Sequence, residues 1–139
     1  MFHNVRIIHI FNTQNVSKMK NKTAKLKDPL VVTGPDGKSK IEADLRIIKR
    51  ASLTLRALHH PLRKKLLELI EAKGTVTVTE LYAKLKIEQS VASQHLAILR
   101  RAQVVNTKRD GKKIFYSVNG KRIAEIVELA KELAQESEY

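Results

Sequence analysis

The sequence predicts an α+β fold that is mainly helical, on three observations. Five segments between Ile41 and Glu136 repeat apolar residues at the helical period. Two β-rich runs flank Asp110-Gly111, the dipeptide that most strongly marks a tight hairpin. Two of the helical segments are short, and only Lys86 to Gln89 separates them just ahead of that hairpin.

Residues 1–40 stand apart from the rest. They hold eight Lys and Arg residues against only Asp28 and Asp36. The stretch from Asn12 to Lys27 is polar and basic without a period, and Pro29 and Gly34-Pro35-Asp36-Gly37 are breakers. This region reads as a flexible basic arm, within which Met19-Lys20-Asn21-Lys22 offers an alternative start. Val5, Ile7, Ile8, Ile10 and Phe11 are interrupted by His9, and no small-residue cleavage site follows, so no signal peptide is expected.

Residues 41–139 form the expected domain. A first helix is expected over 41–58, with Ile41, Leu45, Ile48, Leu55 and Leu58 on one face. Pro61 suits the first turn of a second helix, because the N–H it lacks would have no partner there. Leu62, Leu66, Leu69 and Ile70 give that helix its apolar face, and Gly74 stops it. Thr75 to Val78 is a short β-branched run. Thr79 is a candidate cap for a helix over 80–85, with Leu81 and Leu85 inward. Ser90 is a candidate cap for the next helix, which runs to about Ala102 with Val91, Leu96 and Leu99 inward. Strands over 104–109 and 112–118 enclose the hairpin turn. A final helix over 120–136 carries Ile123, Ile126, Val127, Ala130, Leu133 and Ala134 as its stripe. The expected order is α-α-β-α-α-β-β-α.

Two short helices followed directly by a basic hairpin describe a winged helix-turn-helix, with a two-stranded wing and flanking dimerisation helices. Its second short helix is sized for a major groove. Gln89, Ser90, Ser93, Gln94 and Ala97 are its candidate outward positions, and the Ser and Gln residues among them are short or bidentate hydrogen-bonders suited to base edges and phosphates. Gln94 is the leading base-contact candidate, since glutamine matches the adenine N6/N7 edge. His95 either packs against the core or reaches a phosphate. At the wing, Lys108, Arg109, Lys112 and Lys113 surround the turn, and Arg109, Lys112 and Lys113 are the phosphate candidates. Arg63, Lys64 and Lys65 read equally well as phosphate contacts or a solvated face. Phe115 and Tyr116 alternate, so one of them is expected to face the core.

The formal charge of +13 agrees with a polyanionic partner, here double-stranded DNA. Aromatic residues make up 4% of the chain, too few for the stacking that dominates single-strand recognition. The chain has no cysteine, which excludes disulfides and thiolate metal sites and fits the cytoplasm. No apolar run reaches the roughly 18 residues of a membrane span. There is no Gly-rich phosphate loop and no nucleophile with an attendant base, so an enzyme is not expected. The first and last helices carry more apolar surface than a small winged core covers. Leu45, Ile48, Leu55, Ile126, Val127, Ala130 and Leu133 are therefore the candidate residues of a two-fold homodimer. The competing reading is a winged-helix protein-interaction module that has lost specific DNA binding.

Four stretches resemble the ArsR-type (ArsR/SmtB-like) regulators: His60 to Ile70, Val78 to Leu85, Gln89 to Arg100, and Asp110 to Val118. They resemble, in turn, that family's opening helix, first helix of the pair, recognition helix and wing, and the likeness spans about Leu45 to Leu133. It implies a homodimer joined by its first and last helices, which binds an imperfect palindrome and usually represses. Metal-sensing members carry a cysteine motif on the first helix of the pair, where this chain reads Leu81-Tyr82-Ala83-Lys84. Others use Asp, His and Glu on the last helix, where Lys121 to Glu136 has neither His nor Asp. Glu125, Glu128 and Glu132 alone make a poor site for a transition metal and read as a solvated face paired with Lys131. No metal or other cofactor is expected, and no effector is identified.

Overall fold

The structure, a computed structural model, describes residues 28–135. The basic stretch 12–27, the alternative start at Met19 and the expected end of the last helix at Glu136 lie outside the described residues. The chain divides into two compact units between Arg46 and Ile47.

In the first unit, β1 (Leu30–Thr33) and β2 (Lys40–Ala43) form an antiparallel hairpin. Val32 pairs with Ile41, and Leu30 with Ala43. Ile41 was expected to open a helix, because its spacing to Leu45 and Ile48 is helical. Its place in β2 is the correction, and the Gly-Pro-Asp-Gly turn accounts for it. Asp36 Oδ1 accepts from the backbone N–H groups of Lys38 and Ser39 and from the Ser39 hydroxyl, at 3.1, 2.9 and 2.7 Å. The Ser39 hydroxyl, followed by those backbone donors, holds the Asp36 carboxyl below its ordinary range. Gly34 is buried, and a Cβ there would collide with the Ser39 hydroxyl. The segment expected as an arm thus ends, among the described residues, in an ordered hairpin.

The second unit holds the winged domain. Helix α1 (Leu45–Leu58) leads into α2 (Pro61–Lys73), β3 (Val76–Thr77), α3 (Val78–Leu85) and α4 (Gln89–Arg101). Strands β4 (Val105–Asp110) and β5 (Lys113–Val118) and helix α5 (Gly120–Gln135) follow. Strand β5 is central in a three-stranded antiparallel sheet of order β3-β5-β4.

Local chemistry explains the boundaries. Gly74 ends α2 at φ 78°, and its N–H returns to the carbonyls of Ile70 and Glu71. Thr77, rather than the expected Thr79, caps α3. Its Oγ1 accepts from Glu80 N–H, and the Glu80 carboxylate accepts from Thr77 N–H at 2.8 Å. That reciprocal box needs Glu three residues after the cap, and only Thr77 meets the condition. Ser90 is not a cap either. It lies inside α4, which begins one residue earlier behind Glu88, and no side chain caps it. The turn between α3 and α4 is Lys86 to Glu88, with Lys86 left-handed at φ 54°. Asn119 precedes α5, and its Oδ1 accepts from Arg122 N–H at 3.2 Å.

The core is one cluster drawn from all of these elements. Leu66, Ile70, Leu81, Leu96, Leu99, Val76 and Val104 are fully buried, and Ala57 and Ile126 close it from α1 and α5. The expected inward residues Leu66, Ile70, Leu81, Leu96 and Leu99 all lie there. Val91 is half-buried, and Ala92 takes the deeper place. Tyr116 is the wing aromatic that packs on this core.

Candidate nucleic-acid interface

The interface is built on α4, whose inner face is fixed by Ala92, Leu96 and Leu99. A helix pinned along one side presents the opposite side at fixed angles. Gln89, Ser90, Ser93 and Gln94 are exposed, on the first two turns of that helix. Their exposure is as expected, whereas Ala97, also expected to point outward, is half-buried.

His95 is placed differently. It is half-buried, and its Nδ1 lies 3.3 Å from Arg63 Nη1. Its ring centroid is 4.7 Å from that of His60. Position 95 falls between the outer row of α4 and the core row, which turns the imidazole toward α2. Burial, then His60, then Arg63 hold the His95 pKa below its ordinary value.

Arg63 is the residue that sequence reasoning misjudged most. It is 8% exposed, not on a solvated or phosphate-facing surface. Its Nε donates to the Ala57 carbonyl at 2.7 Å and its Nη2 to the Arg56 carbonyl at 2.8 Å. Both carbonyls lie in the last turn of α1, where a buried cation is a strong donor, and that of Arg56 also accepts from His59 N–H at 3.2 Å. Burial, with Arg56 nearby, lowers the Arg63 pKa, and a guanidinium still remains charged. The exposed Lys64 instead lies 3.5 Å from Glu68.

The wing supplies the second surface. Asp110 pairs with Lys113, so the two-residue loop is Gly111-Lys112, one position later than expected. Gly111 alone carries the positive φ, at 59°, as a turn with glycine first requires. Lys108, Arg109, Lys112 and Lys113 are all exposed at this tip. Arg109 Nε donates to the Gly111 carbonyl at 3.2 Å, which holds the guanidinium close to the turn.

Between helix and wing lies a shallow open depression. Ser93, Ala97, Arg100 and Arg101 of α4 line it together with Tyr116 of β5. Sequence reasoning did not single out Arg100 and Arg101. The signal was present, since positions 93, 97, 100 and 101 follow the i, i+3, i+4 rule on one helix face.

The candidate dimerisation residues divide. Leu45 and Ile48 on α1 and Val127 and Leu133 on α5 are exposed, at 51, 50, 40 and 61%. Ile47, Leu53 and Leu129 are exposed with them. Leu55 packs partly on the chain's own core, Ala130 is half-buried, and Ile126 at 6% exposure belongs to that core. On α5, Glu128 pairs with Lys131 at 2.9 Å and Glu125 with Arg122 at 3.3 Å. No helix among the described residues is long and apolar enough to cross a membrane.

Comparison with known proteins agrees with this geometry. Residues 60–107 match the model of the bacterial regulatory protein, arsR family. The chain is 41% identical over 83 residues to a biofilm growth-associated repressor of Agrobacterium fabrum, a match covering 58% of this chain and 70% of that protein. It is 33% identical over 75 residues to the transcriptional repressor PagR of Bacillus anthracis, covering 54% of this chain and 75% of the relative. Among solved structures, NolR of Sinorhizobium fredii superimposes with a TM-score of 0.51 at 27% identity, covering 78% of this chain and 95% of that one. The family consists of transcriptional regulators and not of enzymes. The chain belongs to the ArsR family of winged-helix, DNA-binding transcriptional regulators.

Proposed function

We propose that the protein is a homodimeric repressor that reads a palindromic DNA operator in the cytoplasm. The observation that carries this reading is the pairing of two exposed surfaces in one unit. Gln89, Ser90, Ser93 and Gln94 present hydrogen-bonding side chains on a helix fixed to the core, and four cations gather at the adjoining wing tip. The polar row suits base edges and phosphates, and the cations suit phosphates alone. Within this division of labour Gln94 reads a base, and Arg109, Lys112 and Lys113 hold the flanking backbone.

The dimer rests on the apolar residues left exposed on α1 and α5. Leu45, Ile48, Val127 and Leu133, with Ile47 and Leu129, are costly to leave in water, and a two-fold copy buries them against their own equivalents. A two-fold pair also sets two recognition helices on successive major grooves, about 34 Å apart. Repression follows the relatives named as repressors.

Sedimentation of the protein alone and on a selected duplex tests this reading. Two chains in the free particle and two per duplex are expected. A free monomer that binds as one chain per duplex contradicts it.

A further inference from the structure

The recognition helix is tied to the end of α1 through one buried guanidinium. Arg63 spends Nε and Nη2 on the carbonyls of Ala57 and Arg56, and turns Nη1 toward His95 Nδ1. A guanidinium has only donors. His95 Nδ1 must therefore be the acceptor, and the neutral ring carries its proton on Nε2. We infer that Arg63 and His95 are positioning residues for sequence-specific DNA reading, joined by a contact that holds only while His95 is neutral.

The surroundings reinforce that dependence. The groups acting on His95 are Arg63 and His60 from the start of α2, both cationic when charged. Arg56, at the end of α1, acts on Arg63 in the same sense. His60 is itself occupied, since its Nδ1 accepts from Leu62 N–H at 3.2 Å as the cap of α2. A proton on His95 Nδ1 would face a donor that cannot turn away, because its other two nitrogens are bonded to α1. The imidazolium must then leave, and it lies one residue after Gln94 on the helix that reads the bases. Release of this contact loosens the angle of α4 against α2 and α1. It also adds a cation to the DNA-facing side, so non-specific binding is not weakened with it.

This inference rests on the reading of α4 as the DNA reader. The test uses the full chain, the duplex most enriched from a random pool, and a scrambled duplex of equal length. As pH falls from about 7.5 to about 4.5, a span that runs past the ordinary histidine range because the His95 pKa is lowered, the preference for the enriched duplex is expected to fall by about tenfold. Affinity for the scrambled duplex should hold or rise. His95→Asn keeps an acceptor at the Nδ1 position and cannot titrate there, so its preference should stay flat with pH. His60→Asn keeps the cap and should still lose preference with acid, at a somewhat higher pH than the wild type, because His60 no longer opposes a charge on His95. Nitrogen-15 NMR of the wild type should show the Nε2–H tautomer of His95 at neutral pH. A wild-type preference independent of pH, or His95→Asn losing preference with acid as the wild type does, overturns the inference. So does an Nδ1–H tautomer, whether or not the variants fold. If no duplex is enriched, it is the reading of α4 that fails, while the NMR result still decides the contact.

Discussion

Thr77 and Glu80 close a reciprocal box at the start of α3. The Glu80 carboxylate accepts from Thr77 N–H at 2.8 Å and from its hydroxyl at 2.9 Å, while Thr77 Oγ1 receives Glu80 N–H at 3.4 Å. The box orients the first helix of the pair at the end of β3. Thr77→Ala is expected to lower stability by about 1 kcal/mol, and Thr77→Ser to recover most of it. Denaturant titration of the three proteins checks this, and equal midpoints would show that the cap contributes nothing.

The same box makes stability sensitive to acid. The Thr77 backbone N–H, then its hydroxyl, hold the Glu80 pKa below the ordinary 4.5. A depressed acid favours the fold above its ordinary pKa, and the contribution is lost as pH falls through the lowered one. Glu80→Gln should therefore lose stability at neutral pH and show a shallower decline below about pH 4.5 than the wild type. Parallel curves across that range would exclude Glu80 as a source of the acid dependence.

Much of this fold was legible in the sequence because its signals are local. Gly74, Pro61 and the paired wing strands act over a few residues; the first two lie where the pattern put them, and the wing turn falls one residue later. The failures share a cause as well. Ile41 keeps helical spacing to Leu45 and Ile48, yet the Asp36 turn draws it into β2. Thr79 looked like a cap until Glu80 bonded back to Thr77. Arg63 could not be read at all, because its partners Arg56, Ala57 and His95 lie seven and six residues back and 32 residues ahead. Of the site, the four polar positions of α4 and the wing cations follow from periodicity. The orientation of His95 and the grouping of Arg100 and Arg101 with Tyr116 depend on packing.

The two sides of α5 give opposite expectations. Ile126 is in the core, so Ile126→Ala should destabilise the chain by about 2–5 kcal/mol in thermal or chemical unfolding. Val127 is its neighbour and is exposed in the single chain. Val127→Glu should leave the chain folded and shift sedimentation toward the monomer. A Val127→Glu protein that sediments unchanged would place the dimer contact elsewhere.

The wing should act through charge alone. Arg109→Ala is expected to weaken cognate and random duplexes alike, and to flatten the plot of log affinity against log salt by about one phosphate contact. An unchanged slope would show that Arg109 does not meet the backbone.

The central claim is that α4 reads bases, and Gln94→Ala tests it most directly. Its affinity is measured on the duplex enriched from a random pool and on a scrambled control at one salt concentration. The account predicts a loss of about 1–3 kcal/mol on the enriched duplex and little change on the control. Equal losses on both would contradict it and leave Gln94 on the phosphate backbone.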